Sequence, residues 1–300
     1  MTRIGVVGAG RVGAVLAASL RAAGHEIVAA AGESTASRHR VDALLPGVPV
    51  RKPTAVARSC DLLLLTVPDD MLANVVVSLV GAGAIHQGQY VVHTSGRHGL
   101  AVLEPARLVG AHVVAMHPAM TFTGTEVDLP RLRGCVFGVT ADGDDERAMA
   151  EVLVDDLGGS AIWVPEDKRT LYHAGLAHGA NHLVTLVTQA MEMLSAAGAD
   201  DPAGTLRPLL TAALDNVLES GDAALTGPIV RGDVNTVAAH LEEIAAHAPT
   251  TLASYVTLAR ATADRAVLDG RLLPIRRATL VALLDHAEDT ARVEARDRRG

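Results

Sequence analysis

Two groups of residues in this sequence have the types and spacing to do chemistry. The first is Tyr172-His173, followed along the same stretch by His178, Asn181 and His182. On a helix, His173 and Asn181 stand a little over two turns apart near one face, and His178 neighbours both Asn181 and His182. A lone histidine on a helix commonly serves a surface or an interface; three with an asparagine on one helix point to a site. A histidine with its ordinary pKa of about 6.5 gives or takes a proton at neutral pH, so His173 reads as a general acid. Asn181 would hydrogen-bond the substrate oxygen. His117, at the end of an apolar stretch and followed by Pro118, competes for the acid role. Leu225–Asp233 is a glycine- and proline-containing connector in which Arg231 can clamp a carboxylate in bidentate fashion. No HExxH motif or Cys/His ligand set is present, so no metal is expected.

The second group is the stretch Ile4–Gly24, which reads as a buried strand, a glycine turn and a helix ending near Gly24. Gly8, Gly10 and Gly13 form a G-x-G-x-x-G pattern, with Ala9, Arg11 and Val12 between them. The three glycines serve different ends. Gly8 permits the sharp turn, Gly10 the approach of a pyrophosphate, and Gly13 the close packing of helix on strand. The helix start at Arg11, Val12 and Gly13 then offers unpaired amides and the positive end of the helix dipole to phosphates. A dinucleotide is the expected ligand. Its kind is set after the second strand, His25–Ala31, by the polar stretch Gly32–Arg40. Glu33 stands roughly twenty residues past Gly13, where an acid would hold a ribose 2′-OH. Ser34, Thr35, Ser37, Arg38 and Arg40 crowd around it and suit a 2′-phosphate instead. NADP is therefore expected, with NAD as the alternative and Glu33 turned away.

The elements that must position these groups follow a regular order. Asp61–Val67 is a continuous apolar run, as in a strand covered on both faces. It leads into Val67-Pro68, placed beside the ligand, and then Asp69 and Asp70, either of which suits a helix cap. Tyr90–His93 is a fourth strand, and Thr94, Ser95 and Gly96 after it suit a loop beside the nicotinamide ribose. Ala111–Met116, Cys135–Thr140 and Ser160–Val164 are further strands, with a helix over Asp145–Leu157. Strand alternating with helix predicts an α/β, doubly wound parallel sheet. From residue 166 onward no strand pattern is found. Helices are expected over Asp167–Ala197, Thr205–Leu218, Val234–Ala246, Thr250–Asp269 and Arg276–Ala295, and the charged end Glu294–Gly300 is expected to fray. The domains expected are 1–165, dinucleotide-binding, and 166–300, all-helical.

Composition narrows the partners. The chain has 300 residues, 49% hydrophobic but only 2% aromatic, so its cores must be built of Leu, Val and Ala. A formal charge of -8 argues against nucleic acid or an anionic membrane surface as partner. No apolar run is long enough for a membrane span. Cys60 and Cys135 form no C-x-x-C pattern and read as two free thiols in a cytoplasmic protein.

The ordered set Gly8–Gly13, Val67-Pro68-Asp69, His93–Gly96, His117-Pro118, Tyr172-His173…Asn181 and Leu225–Asp233 resembles a bacterial two-domain family. Its members join a Rossmann-like NADP-binding domain to a helical C-terminal domain of unassigned function. The layout is similar to pyrroline-5-carboxylate reductase, deazaflavin-dependent NADP reductase, prephenate dehydrogenase, ketopantoate reductase and the β-hydroxyacid dehydrogenases. The resemblance implies an NADP(H)-dependent reductase of a small carbonyl or imine compound, a 2-oxo acid such as ketopantoate among the candidates, often a homodimer through its helical domain. The β-hydroxyacid dehydrogenases and the usual ketopantoate reductases carry Lys and Asn one turn apart on the first helix of the second domain. Here Asn181 matches the Asn, but Ala177 stands where the Lys would be. The proton donor must then be another group: His173 first, Lys168 as the fallback. The alternative reading is a redox sensor that binds NADP without turnover; such a sensor has no use for the His173/Asn181 cluster.

Overall fold

The computed structural model describes residues 1–297, with side chains described to residue 293. Of the charged end expected to fray, residues 294–297 continue the last helix, while residues 298–300 and the side chains from 294 onward lie outside the described residues. The chain divides into two compact units, Met1–Ala180 and Asn181–Gly300. The division falls inside a long helix and not at residue 165, where the sequence changes character. The first turns of that helix carry side chains that pack on the sheet.

The first unit runs β1 (Arg3–Val7), α1 (Arg11–Ala22), β2 (Glu26–Ala31), α2 (Thr35–Leu44), α3 (Pro53–Arg58), β3 (Leu62–Leu65) and α4 (Asp69–Gly81). It continues through β4 (Tyr90–His93), α5 (Glu104–Leu108), β5 (His112–Pro118), α6 (Asp128–Arg131), β6 (Val136–Thr140), α7 (Asp144–Asp156) and β7 (Ser160–Trp163) into α8 (Arg169–Ala196). The seven strands form one sheet in the order β2-β1-β3-β4-β5-β6-β7. Strands β1 to β5 are parallel, as a doubly wound sheet requires. β6 departs from the expected parallel order and runs antiparallel to β5, with β7 parallel to β6. The reason is the connection: between β5 and β6 lies only the one-turn helix α6, too short to carry the chain back across a face.

Both faces of the sheet are covered. In β3, Leu62 and Leu64 belong to one core and Leu63 and Leu65 to the other, all four fully buried. Each contributes about 2 kcal/mol relative to exposure. The polar stretch after β2 is helical from Thr35, with the Ser34 hydroxyl accepting the Ser37 N–H at 3.0 Å as N-cap. Asp69 and Asp70 do not cap α4. Pro68 is the N-cap, without a side-chain bond, and both acids sit in the first turn, where the helix dipole favours them.

The second unit holds the remainder of α8 with α9 (Pro202–Ser220), α10 (Pro228–Arg231), α11 (Val234–His247), α12 (Leu252–Leu268) and α13 (Pro274–Asp297). It has no strand among the described residues, as expected. Asp201 and Asp233 cap α9 and α11 through the amides of Gly204 and Thr236. Val237, Leu241, Val256, Ala263, Leu280 and Leu284 form its core. In α9 only Leu206 is buried; Leu209, Leu214, Val217 and Leu218 are exposed, as are Leu183, Val184 and Leu186 of α8.

One buried polar group shapes the ligand edge of the sheet. His93 closes β4 and is fully buried. Its Nδ1 accepts the Ser95 N–H at 3.1 Å, so its Nε2 bears the proton and donates to Gly99 O at 2.9 Å. Burial lowers its pKa to about 4, against the opposing pull of the Gly99 bond. Unfolded, the same group titrates at about 6.5. The unfolded chain therefore binds the extra proton first as pH falls. This contribution to stability is complete above pH ~6.5 and is lost as pH falls through ~4, by about 3 kcal/mol. Urea unfolding followed from pH 7 to pH 4.5 should show this loss in the native chain and less of it in His93→Gln; equal slopes for both would contradict it.

Candidate functional site

The ends of the parallel strands place the chemistry-bearing residues on one edge of the sheet. At the end of β1 the chain turns through Gly8, whose φ is +99°. A Cβ there would come within 2.7 Å of the backbone between Thr66 and Val67. The amides of Gly8 and Ala9 both donate to Ala31 O, at 3.0 and 2.9 Å. Thr66, closing β3, donates its hydroxyl to Gly8 O at 2.6 Å. A Cβ at Gly13 would collide with that Thr66 hydroxyl and lie 2.6 Å from Gly8 O. Gly10 is different: a Cβ there would meet nothing nearer than Gly8 O at 3.8 Å. Two of the three glycines are required by the packing of the chain, and the third is not. Gly10 is also the N-cap of α1 and brings no side chain to it. The first helical bond runs from Ala14 N to Gly10 O, so the amides of Arg11, Val12 and Gly13 precede it and face outward from the helix end. The turn sits where strand order reverses, between β1 and β3, the usual ligand crevice of open α/β sheets.

The residues expected to choose the cofactor lie beside this turn. A Cβ on Gly32 would be 2.7 Å from Cβ of Ser37 and 3.6 Å from Cβ of Ala9, so the start of α2 abuts the glycine turn. Ser34 and Ser37 are joined through their hydroxyls at 2.9 Å, Thr35 is the first residue of α2, and Arg38 donates to Glu33 O at 3.2 Å. Arg11 and Arg40 are brought together by Gly124: a Cβ there would lie 2.9 Å from Cγ of Arg11 and 2.7 Å from Nε of Arg40. The loop carrying Gly124 is held by the buried carboxylate of Asp128, which accepts the amides of Thr123 and Gly124 at 2.8 and 2.7 Å. These groups offer cationic and hydroxyl donors next to free helix amides, a donor set that fits a phosphorylated dinucleotide.

Farther along the same edge, β4, β5 and the start of α8 bring an aromatic cluster together. His117 Nδ1 lies 3.1 Å from the Tyr172 hydroxyl, and its ring meets His173 edge-on with centroids 5.8 Å apart. Gly96 makes this possible: a Cβ there would lie 2.5 Å from Cδ2 of His173 and 3.1 Å from Nε2 of His117. Gly138 does the same for Tyr172, whose Cζ and Oη would lie 2.5 Å from a Cβ. Beneath the cluster the fully buried Arg169 donates to Ser95 O at 2.6 Å, Gly138 O at 3.3 Å and Thr140 Oγ1 at 3.0 Å. It forms no ion pair among the described residues, and burial lowers its pKa. Burial, then the His173 ring and the Arg169 charge, bring the His117 pKa down to about 4. Burial also raises that of Tyr172.

The predicted residues thus fall into two groups. His117, His173 and Gly96 meet in the first unit, on the same sheet edge as the glycine turn. Ser95 is committed to its own loop: its amide bonds His93, its hydroxyl accepts His98 N and its carbonyl accepts Arg169. Thr94 and Val67 are half-buried and Pro68 is exposed. Asn181 opens the second unit and is exposed, as are His178 and His182 on α8. Arg231, the last residue of α10, is exposed in that same unit. Arg169, Thr66, Gly138 and Gly124 were not foreseen. The signals for two of them were present: a hydroxyl closing an apolar run, and a glycine inside a strand.

The cavity of about 430 Å³ in the second unit, lined among others by His240, Glu243, His247 and Tyr255, contains none of the predicted residues. Among the described residues no group of His, Cys, Asp and Glu is arranged to hold a metal, and no helix is long and apolar enough to cross a membrane.

Comparison with known proteins agrees with this architecture. Residues 1–118 match the model of a Rossmann-like domain, and residues 135–262 that of DUF2520, a domain of unknown function. No curated protein matches the chain. Among solved structures, a candidate NADP oxidoreductase of Bacteroides fragilis superposes with a TM-score of 0.75 at 22% identity, over 88% of this chain and 98% of that one. A reductive aminase of Aspergillus terreus, in complex with NADPH and ethyl levulinate, gives 0.62 at 17% identity over 95% and 99%. The Plasmodium falciparum pyrroline carboxylate reductase with NADP bound gives 0.58 at 12% identity over 93% and 98%. At these identities the likeness is one of fold. The chain thus joins a segment that matches a Rossmann-like domain to one that matches DUF2520.

Proposed function

We propose that this chain is an NADP(H)-dependent oxidoreductase that moves hydride to or from a small carbonyl or imine compound. One observation carries the reading. The glycine turn, with space at Gly10 and three outward amides, shares a sheet edge with the His117–Tyr172–His173 cluster. A protein that only senses a dinucleotide has no need of such a cluster. The structural neighbours named as an NADP oxidoreductase, a pyrroline carboxylate reductase and a reductive aminase lend support.

In this reading the amides of Arg11, Val12 and Gly13 hold the pyrophosphate, and Ser34, Thr35, Ser37 and Arg38 face the 2′-phosphate, with Arg11 and Arg40 adding positive charge. A bound NADPH would supply the hydride. His173 exchanges the proton with the substrate, and the ring of His117 bounds the same space. The protein is proposed to act as a homodimer joined through the helical unit. The exposed leucines and valines of α8 and α9 are the surface a second copy would cover.

The cofactor assignment is tested by titration. Gly10→Val should abolish dinucleotide binding while leaving the fold intact, because the chain itself does not need that glycine. Arg38→Ala should weaken NADPH far more than NADH, by about 1.5–3 kcal/mol, since the lost charge-assisted contact exists only with the 2′-phosphate. Equal losses for both cofactors would return Glu33 to the ribose and make NAD the ligand. For catalysis, NADPH consumption is followed with 2-oxo acids, ketopantoate included, and cyclic imines. His173→Ala should lower kcat by about 10²–10⁴ with NADPH affinity nearly unchanged. Normal turnover in that variant, with loss in His117→Ala, would move the acid to the sheet. Light scattering should give twice the chain mass at micromolar concentration; a monomer counts against the dimer.

A further inference from the structure

The hydroxyl of Tyr172 has no role in the oxidoreductase scheme so far, yet three features of the structure fix where its proton goes. Its ring lies against Gly138, so close that a Cβ there would lie 2.5 Å from Oη. Burial raises its pKa above the ordinary value for a phenol, so the oxygen keeps its proton at neutral pH. The phenol has one O–H to donate, and a neutral imidazole nitrogen is a better acceptor for it than the phenol oxygen is for an imidazole N–H. The acceptor at hand is Nδ1 of His117, 3.1 Å away, on the residue that pairs with Gly138 across β5 and β6.

An imidazole that accepts at Nδ1 and is neutral must carry its proton on Nε2. The His117 ring is held neutral by burial and by the nearby Arg169 charge. Its Nε2 makes no hydrogen bond among the described residues, and it is not among the buried atoms lacking a partner. It is therefore not sealed from solvent, and it lies beside the ring of His173, which the missing side chain of Gly96 lets approach.

We propose that Tyr172 is a positioning residue that holds His117 as its Nε2–H tautomer, so that this N–H is the hydrogen-bond donor offered to a substrate carbonyl oxygen. The proposal rests on the oxidoreductase reading and divides the work between two histidines: His117 polarises the oxygen, and His173 exchanges the proton. It also narrows the substrate class. A carbonyl oxygen has lone pairs to accept this N–H; a protonated imine nitrogen has none.

The test is the tautomer itself, read without cofactor or substrate. In the full chain labelled with ¹⁵N-histidine, long-range proton–nitrogen spectra at pH 7 report which nitrogen of each ring is protonated, and His117→Gln identifies the His117 signals. His117 should be protonated on Nε2 alone, and Tyr172→Phe, which keeps the ring on Gly138, should lose that preference and show both tautomers. An Nδ1–H tautomer in the native chain, or unchanged populations in Tyr172→Phe, would overturn the proposal. If Tyr172→Phe does not fold by circular dichroism, the native tautomer alone decides. With the same substrate panel, turnover of cyclic imines while every carbonyl compound stays inert would overturn the assignment of Nε2–H to a carbonyl. Loss of the oxidoreductase reading is seen separately, as failure of the native chain to bind NADPH, and leaves the tautomer result standing.

Discussion

A single buried guanidinium ties the histidine cluster to the sheet. Arg169 is fully enclosed, and its donors reach Ser95 O in the loop after β4, Gly138 O in β6 and Thr140 Oγ1 beside it. Taking such a charge out of water is expensive, and several charge-assisted bonds are needed to offset that cost. Here they all go to neutral oxygens, so the positive charge remains uncancelled inside the unit. Because Arg169 opens α8, the anchor also fixes Tyr172 and His173, which follow within about one turn of helix. With Tyr172 packed against Gly138, it holds the start of α8 in register with β4 and β6.

The uncancelled charge has an electrostatic consequence. Together with burial it keeps the His117 ring neutral, and it acts in the same direction on His93. Two histidines at the ends of adjacent strands are thereby kept as hydrogen-bonding groups and not as cations. His93 spends both nitrogens on its own loop, through Ser95 N and Gly99 O. His117 spends only one, on Tyr172. The same neutralisation thus yields a purely structural group in one strand and a group with a donor to spare in the next.

Glycine is used here in two ways. At Gly8, Gly13, Gly96 and Gly138 a Cβ would strike backbone or a side chain that defines the site, so the chain itself demands the missing atom. At Gly10 the space is empty, and the reason for glycine must lie outside the chain. This difference separates an internal packing requirement from room for a ligand, and it falls where the glycine pattern placed it, with Gly10 left for a pyrophosphate.

Much of the architecture was legible in the sequence. The apolar runs, alternating with helical periodicity and then giving way to helix alone, determined a covered parallel sheet followed by helices, because burial on two faces leaves a pattern that needs no partner to be read. The glycine spacing between strand and helix determined the turn for the same local reason. The tertiary structure decided the rest. The reversal of β6 depended on the short connection at α6, whose length as a helix is not written in any local period. Thr35–Arg40 reads as polar and becomes a helix because Ser34 caps it beside the glycine turn. Asn181 shares a helix with His173, yet the two fall in different units, since helix phase fixes a face and not what that face meets. Arg169 gave no signal at all. An arginine is ordinarily exposed, and only carbonyls from β4 and β6, distant in sequence and gathered by folding, make its burial possible.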